Sequence, residues 1–287
     1  MTTNIDLRSD HLPLLRPEDV AALVIQPVDR MSVAMQVSTI LDTDASTMRI
    51  PIVTADVDAA WVAEGAEISE DSAATDELNV EPRKLAALTI ISSELAQDSS
   101  PAAQQVVGQS IARDLARRID LAYFGAQAGQ SPNGLQDLLG VGIVDNVGSW
   151  ANLDPFLEAQ YAADAEGREL GAFVSDYSTA LALAQLKDQT DSARPLLGDP
   201  LEGTRRRLAG VPLYVSPGVE AGVVWGLPRD VSMVVRRTGV QLAVDRSRYF
   251  ERDSIGVRAT MRLAFGWPHP AAVQRISLAA VESGSGV

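Results

Sequence analysis

Residues 56–81 read DVDAAWVAEGAEISEDSAATDELNVE: nine carboxylates, Asp56, Asp58, Glu64, Glu67, Glu70, Asp71, Asp76, Glu77 and Glu81, with no Lys or Arg among them. Like charges repel, so an ordered state of this stretch calls for a basic partner outside it. Strand-like runs bracket it, Met48 to Val53 before and Leu85 to Ser92 after, while Ser69 to Asp76 carries too little apolar surface to pack. The reading is a long two-stranded arm projecting from a body. Two strands alone are marginal in water, which suggests that another surface holds the arm down. The plain alternative is a solvated acidic hairpin or disordered loop with no partner.

The segment C-terminal to the arm favours the first reading. Ser99, Ser100 and Pro101 make a helix start, serine as cap and proline in the first turn where its missing N–H costs nothing. The chain stays helix-friendly to about Gln127, with Val107, Ile111, Leu115 and Ile119 repeating every four residues and Ala122 and Tyr123 continuing the stripe. Such a helix is on the order of 40 Å long. Arg113, Arg117 and Arg118 occupy its other faces, where they offer charge to an acidic arm; a core helix with a solvated basic edge, laced by a pair such as Asp114 with Arg118, is the alternative.

Composition bounds the class. The chain has 287 residues, 46% of them hydrophobic, enough for a sizeable core and two subdomains. No apolar run reaches 18 residues and Met1 to Asp10 has no charged-then-apolar leader, so the expectation is a protein without membrane span or secretory signal, folding in a cytoplasm. A net charge of −14 argues against a surface that grips nucleic acid, because phosphate neutralisation by Lys and Arg supplies most of that affinity. With no cysteine there are no disulfides, thiolate nucleophiles or Cys-based zinc sites. Only Lys84 and Lys187 are lysines against 22 arginines, which fits bidentate interface contacts to carboxylates but equally a GC-rich coding genome.

No catalytic constellation emerges. His11 lies in a polar, proline-rich region and His269 in Trp267-Pro268-His269-Pro270, too different in context to read as a pair. There is no phosphate loop, GxSxG elbow or HExxH helix. Glu64 with Glu67 could serve as acid and base, but in so acidic an arm they read as solvated or interface charge. The expectation is no enzyme, no cofactor and no metal.

Beyond a turn at Pro132-Asn133-Gly134-Leu135 the pattern is mixed: a helix over Leu153 to Glu166 capped by Asn152 or Asp154, a buried strand over Ala172 to Ser175, and a helix over Ser178 to Lys187. An exposed loop spans Asp188 to Arg207. Strands then fall at Pro212 to Ser216, Gly222 to Gly226, Val231 to Arg236, Val240 to Asp245, Ile255 to Phe265 and Ala271 to Leu278, before a small polar tail.

In this order the parts resemble the major capsid proteins of tailed bacteriophages, with the α+β fold called Hong Kong 97. Trp61-Val62-Ala63-Glu64-Gly65 entering the acidic loop, and Pro82-Arg83-Lys84-Leu85-Ala86-Ala87 and Ile91-Ser92-Ser93-Glu94-Leu95 leaving it, resemble the family's extended loop. Ser99 through Gln127 resembles its spine helix. Gly210-Val211-Pro212-Leu213, Gly226-Leu227-Pro228-Arg229-Asp230 and Ile255-Gly256-Val257-Arg258-Ala259-Thr260-Met261-Arg262 resemble axial-domain and returning peripheral-domain segments. The resemblance covers roughly Ala45 to Leu278. It implies an N-terminal arm over residues 1–45, whose Leu12, Leu14, Leu15, Val20, Leu23 and Val24 suggest docking; the extended loop with its strands over 46–98; the spine helix and start of the peripheral domain over 99–139; an axial domain over 140–237; returning peripheral strands over 238–278; and a flexible tail over 279–287.

The function it implies is self-assembly, as pentamers and hexamers, into an icosahedral head that encloses double-stranded DNA without binding it specifically. The shell forms in the host bacterial cytoplasm, with no membrane involved. Glu64, Glu67, Glu70, Asp71, Asp76 and Glu77 of the arm, with Arg113, Arg117 and Arg118 of the helix, are then the expected contacts between subunits. Scaffolding, portal and decoration proteins are the implied further partners.

Two features depart from parts of the family. Some members cross-link through a lysine in the extended loop, whereas residues 56–81 hold none and Lys84 stands at its base, so no isopeptide chemistry is expected. Some carry a large N-terminal scaffolding domain; too few residues precede the fold here, and a separate scaffolding protein is expected instead. The rival readings are an encapsulin-like nanocompartment, although Met1 to Arg30 is interrupted by Pro13, Pro17 and Pro27; a tail or adaptor component; and, in another class, a cytoplasmic hydrolase using Glu64 or Asp176. A pocket holding a carboxylate of raised pKa would favour the last.

Overall fold

In a computed structural model, the described residues are 25–55, 61–62, 65, 74–93, 101–125, 129–189, 195–197, 206–245 and 247–279. The arm differs from the sequence reading in one respect. β2 (Met48–Ala55) pairs antiparallel not with the run after the acidic stretch but with β3 (Ala74–Val80), the end of that stretch itself, in the register Met48↔Val80 and Ile52↔Asp76. Leu78 and Val80 alternate with exposed residues and turn inward, enough to hold a strand in an acidic stretch.

β4 (Arg83–Ser92) belongs instead to a four-stranded sheet of order β1-β10-β11-β4, formed with β1 (Thr39–Asp42), β10 (Met233–Asp245) and β11 (Ser254–Gly266). Its exposure alternates strictly, Leu85, Ala87, Thr89 and Ile91 in, Lys84, Ala86, Leu88 and Ile90 out, as expected of a strand with one wet face. β10 is one strand where two were expected. Register shifts beside Thr238 let it continue, so the division placed at residues 237 and 238 falls within a strand.

On the inner face lies α3 (Pro101–Phe124), the expected long helix; residues 94–100, with the serines of its expected cap, are outside the described residues. Ile111, Leu115, Ile119 and Tyr123 join Ala259, Met261 and Leu263 of β11 in the main core. α1 (Gln26–Met31) and α2 (Val33–Val37) come from the region read as an N-terminal arm and pack on α3, and β1 of the same region pairs with β10, while Leu12, Leu14, Leu15, Val20, Leu23 and Val24 lie outside the described residues. The turn after α3 is as tight as Pro132-Asn133-Gly134 suggested. A Cβ on Gly134 would sit 2.0 Å from the Gly125 carbonyl oxygen and 2.3 Å from that of Ala122, so only glycine closes it.

The second body is a six-stranded mixed sheet of order β5-β12-β9-β6-β8-β7: β5 (Gly142–Val147), β12 (Gln274–Ala279), β9 (Val223–Leu227), β6 (Ala172–Ser175), β8 (Val211–Val215) and β7 (Arg207–Leu208). β5 was not expected. Of the segment Ala271 to Leu278, expected among the returning strands, the part from Gln274 enters this sheet as β12, parallel to β5 and antiparallel to β9, while Pro270–Ala272 form a 3-10 turn. One face packs Val144, Phe173, Val224 and Ile276 against α4 (Asp154–Ala165) and α5 (Tyr177–Ala184), and the other gives Ala172, Val174, Trp225 and Leu227 to the main core. The cap of α4 differs from the expected one: its N-cap position is Leu153, while the Asn152 and Asp154 side chains bond each other.

Candidate assembly interface

The hairpin β2–β3 is held at its base and presents its charge outward. Ile50 and Val80 pack with Val235 and Ala264, and Gly266 leaves room for them: a Cβ there would meet Ile50 Cδ1 and Val80 Cγ2, each at 3.2 Å. Asp76 and Glu77 are exposed on β3. Glu77 Oε2 lies 3.5 Å from Arg49 Nη1 on the partner strand, so one acid meets a cation that lies outside residues 56–81 but within the same hairpin. Glu64, Glu67, Glu70 and Asp71 lie outside the described residues.

Arg113, Arg117 and Arg118 are exposed along α3. Among the described residues none of them forms an ion pair, with Asp114 or with an acid of the hairpin. Among the described residues, then, Asp76 and Glu77 do not meet these arginines within one subunit.

Two described carboxylates, Asp120 and Asp176, have structural employment. Asp120 is 4% exposed, and burial pushes its pKa up, against the hydrogen bonds that favour its charged form. It accepts from Ser32 Oγ at 2.7 Å, the Ala34 N–H at 3.0 Å, the Val33 N–H at 3.1 Å and Ser216 Oγ at 3.3 Å, so every lone-pair direction is used inside the core. It lines none of the three principal clefts. Asp176 caps α5, accepting from the Ser178 N–H at 2.8 Å and the Thr179 N–H at 3.0 Å. Partial burial pushes its pKa up, but those hydrogen bonds together outweigh it and hold the carboxyl below its ordinary value. That environment suits a cap and not a general acid.

Apolar groups stand outward where a lone subunit gains nothing from them. Trp61 is fully exposed at 106%, with Val62 beside it. Leu88 and Ile90 stand on the outer side of β4, and Leu157 with Tyr161 on α4 and Tyr177 with Leu181 on α5 form exposed pairs one turn apart. Sequence periodicity assigns such residues to cores, which is why this signal was missed. Among the described residues no cluster of His, Asp and Glu could hold a metal ion, and no helix is long and apolar enough to cross a membrane.

Known proteins share this arrangement. The model of the phage capsid family matches residues 14–278. The capsid polyprotein of Pseudomonas phage PAJU2 is 27% identical over 225 residues, which are 72% of this chain; the chain spans about a third of that relative, 32% of its length. Among solved structures, the capsid of a native GTA particle superposes with a TM-score of 0.69 at 20% identity, covering 88% of this chain and 90% of the other. The Mycobacterium phage Bobi structure gives 0.67 at 16% identity over 86% and 90%. The encapsulin reading is not favoured by these likenesses. With the hairpin, the long helix and the two sheets in their places, the chain belongs to the phage capsid family and has the Hong Kong 97-like capsid fold.

Proposed function

We propose that this chain is the major capsid protein of a tailed phage, assembling as pentamers and hexamers into the icosahedral head around double-stranded DNA. The observation that carries the reading is the match to the capsid family over residues 14–278. Surface charge supports it too, since among the described residues Asp76 and Glu77 of the hairpin and Arg113, Arg117 and Arg118 of the helix are exposed and make no ion pair with each other, which leaves each set open to the other on a neighbour. In this reading α3 and the four-stranded sheet form the peripheral domain. The six-stranded sheet with α4 and α5 forms the axial domain, whose copies meet around the capsomer axis.

Glu64, Glu67, Glu70, Asp71, Asp76 and Glu77 of one copy lie over Arg113, Arg117 and Arg118 of another. Scaffolding, portal and decoration proteins are the further partners this reading calls for, with assembly in the host cytoplasm and without isopeptide cross-links, Lys84 being outside the loop. Negative-stain microscopy of the purified chain, alone and with co-expressed head proteins, tests it. Closed icosahedral particles are the expected result; discrete monomers under every condition would overturn it.

A further inference from the structure

Clefts on the described surface differ in their charges. One of about 500 Å³ beside the hairpin base sets Glu81 and Asp137 against Arg83. Another, about 350 Å³ beside α4, holds Glu158 and Glu166 and no cation. The third, about 330 Å³ between β4 and α3, has three cations, Arg83, Lys84 and Arg118, against Asp114 alone, over an apolar floor that includes Leu115, Ile119 and Leu263. Arg83 also meets Glu81 at 3.3 Å, leaving Lys84 and Arg118 as the rim's main positive charge. β4 is the edge strand of its sheet, so one row of its backbone groups faces outward here.

Trp61 is the counterpart. Trp150, Trp225 and Trp267 are 8%, 2% and 6% exposed, whereas Trp61 stands wholly free in its own subunit. Every charged residue from Asp56 to Glu81 is acidic. An indole flanked by carboxylates matches an apolar floor rimmed by arginine and lysine, with stacking of the guanidinium on the ring as a further contribution. Each copy carries one such indole and one cleft, so the contact is head-to-tail and can be repeated from copy to copy.

The geometry points to the β4–α3 cleft as the seat for Trp61 of a second copy, with Lys84 and Arg118 meeting the acids around it. This rests on the assembly reading and names the anchor within it.

Tryptophan emission and acrylamide quenching of the full-length chain, in particles and in dissociated subunits, test it. Because the other three indoles are buried within the subunit, assembly is expected to shift emission to the blue and to reduce quenching several-fold, and Trp61→Phe removes both changes. A Val62→Cys/Ala86→Cys pair in this cysteine-free chain is expected to give a ladder of linked multimers on oxidation, each single variant giving none. Particles that form while Trp61 stays fully quenchable, or blue emission already present in dissociated subunits, overturn the inference and leave the assembly reading standing. Absence of particles with co-expressed head proteins overturns both.

Discussion

Ser32 donates its hydroxyl to Asp120 at 2.7 Å, joining residues 88 positions apart. Asp120 also receives the Val33 and Ala34 N–H groups at the start of α2, and so fastens the N-terminal helices to the long helix. Asn at 120 keeps the shape but turns an NH2 toward one of those backbone donors. Asp120→Asn is expected to cost about 1–3 kcal/mol, as for a buried donor left unmet. Because burial raises the folded pKa above the unfolded one, the ionised carboxyl opposes folding at neutral pH, and this cost is relieved as pH falls toward the ordinary value of about 3.9. Urea denaturation of dissociated subunits should show the advantage of wild type over Asp120→Asn growing as pH falls from neutral toward about 3.9. A gap that narrows would contradict the assignment.

The hairpin base offers a steric test. At Gly266 a Cβ meets only side-chain ends, Ile50 Cδ1 and Val80 Cγ2 at 3.2 Å, which can give by a few tenths of an ångström. Alanine is therefore tolerated, while Gly266→Val overpacks the seam by about 1–3 kcal/mol. Hydrogen exchange should show protection lost in Met48–Ala55 and Ala74–Val80 for valine and kept for alanine. Equal behaviour of the two variants would mean that the hairpin does not dock there.

Which parts were legible depends on which signals are periodic. α3 and β4 announce themselves because their apolar residues recur at the helix and strand spacings on a single wet-faced element. β3 was hidden because Leu78 and Val80 turn inward from a polar run that holds Asp76, Glu77 and Asn79, and β10 looked like two strands because Arg236, Arg237 and Gly239 interrupt the pattern where the register shifts. Of residues 271–278, those from Gln274 on form a strand as expected, whereas Pro270–Ala272 make a 3-10 turn; membership of the six-stranded sheet was not legible, since partner choice is tertiary and leaves no local mark. Of the contact surface, the acids and arginines were visible as charge. Arg49 as partner of Glu77, and Trp61 as an exposed indole, required coordinates.

Arg236 ties α1 to the first sheet. Its Nε and Nη2 donate to the two Asp42 oxygens at 2.7 and 3.1 Å, and Nη1 reaches Asp29 at 3.4 Å. Its hydrogen bond to Asp42 outweighs partial burial and holds that carboxyl below its ordinary value, while at Asp29 burial prevails and raises it. Arg236→Ala is expected to lose about 1.5–3 kcal/mol at neutral pH, the range for charge-assisted bonds. The Asp42 share is present above its unfolded pKa and lost as pH falls through the lower folded one, so on that account wild type and variant should converge in acid. Thermal unfolding of both across that range checks it; a gap independent of pH would assign the effect to packing of the arginine stem.

Salt acts on assembly through two opposed terms, and their ranges decide the order. Copies carrying −14 each repel over tens of ångströms, and about 0.1 M salt, with a screening length near 10 Å, removes most of that repulsion. Contacts such as that of Glu77 with Arg49 act at 3.5 Å and contribute below about 1 kcal/mol each when this exposed. They are weakened only as the screening length approaches about 3 Å near 1 M. If carboxylate–arginine contacts repeated between subunits hold the shell, its thermal stability should first rise with salt and then fall toward molar concentrations. It should also fall as pH drops toward about 4, where carboxylates begin to protonate. Light scattering during heating resolves both limbs. Stability that rises monotonically to molar salt, or stays flat to about pH 4, would assign cohesion to the apolar contacts instead.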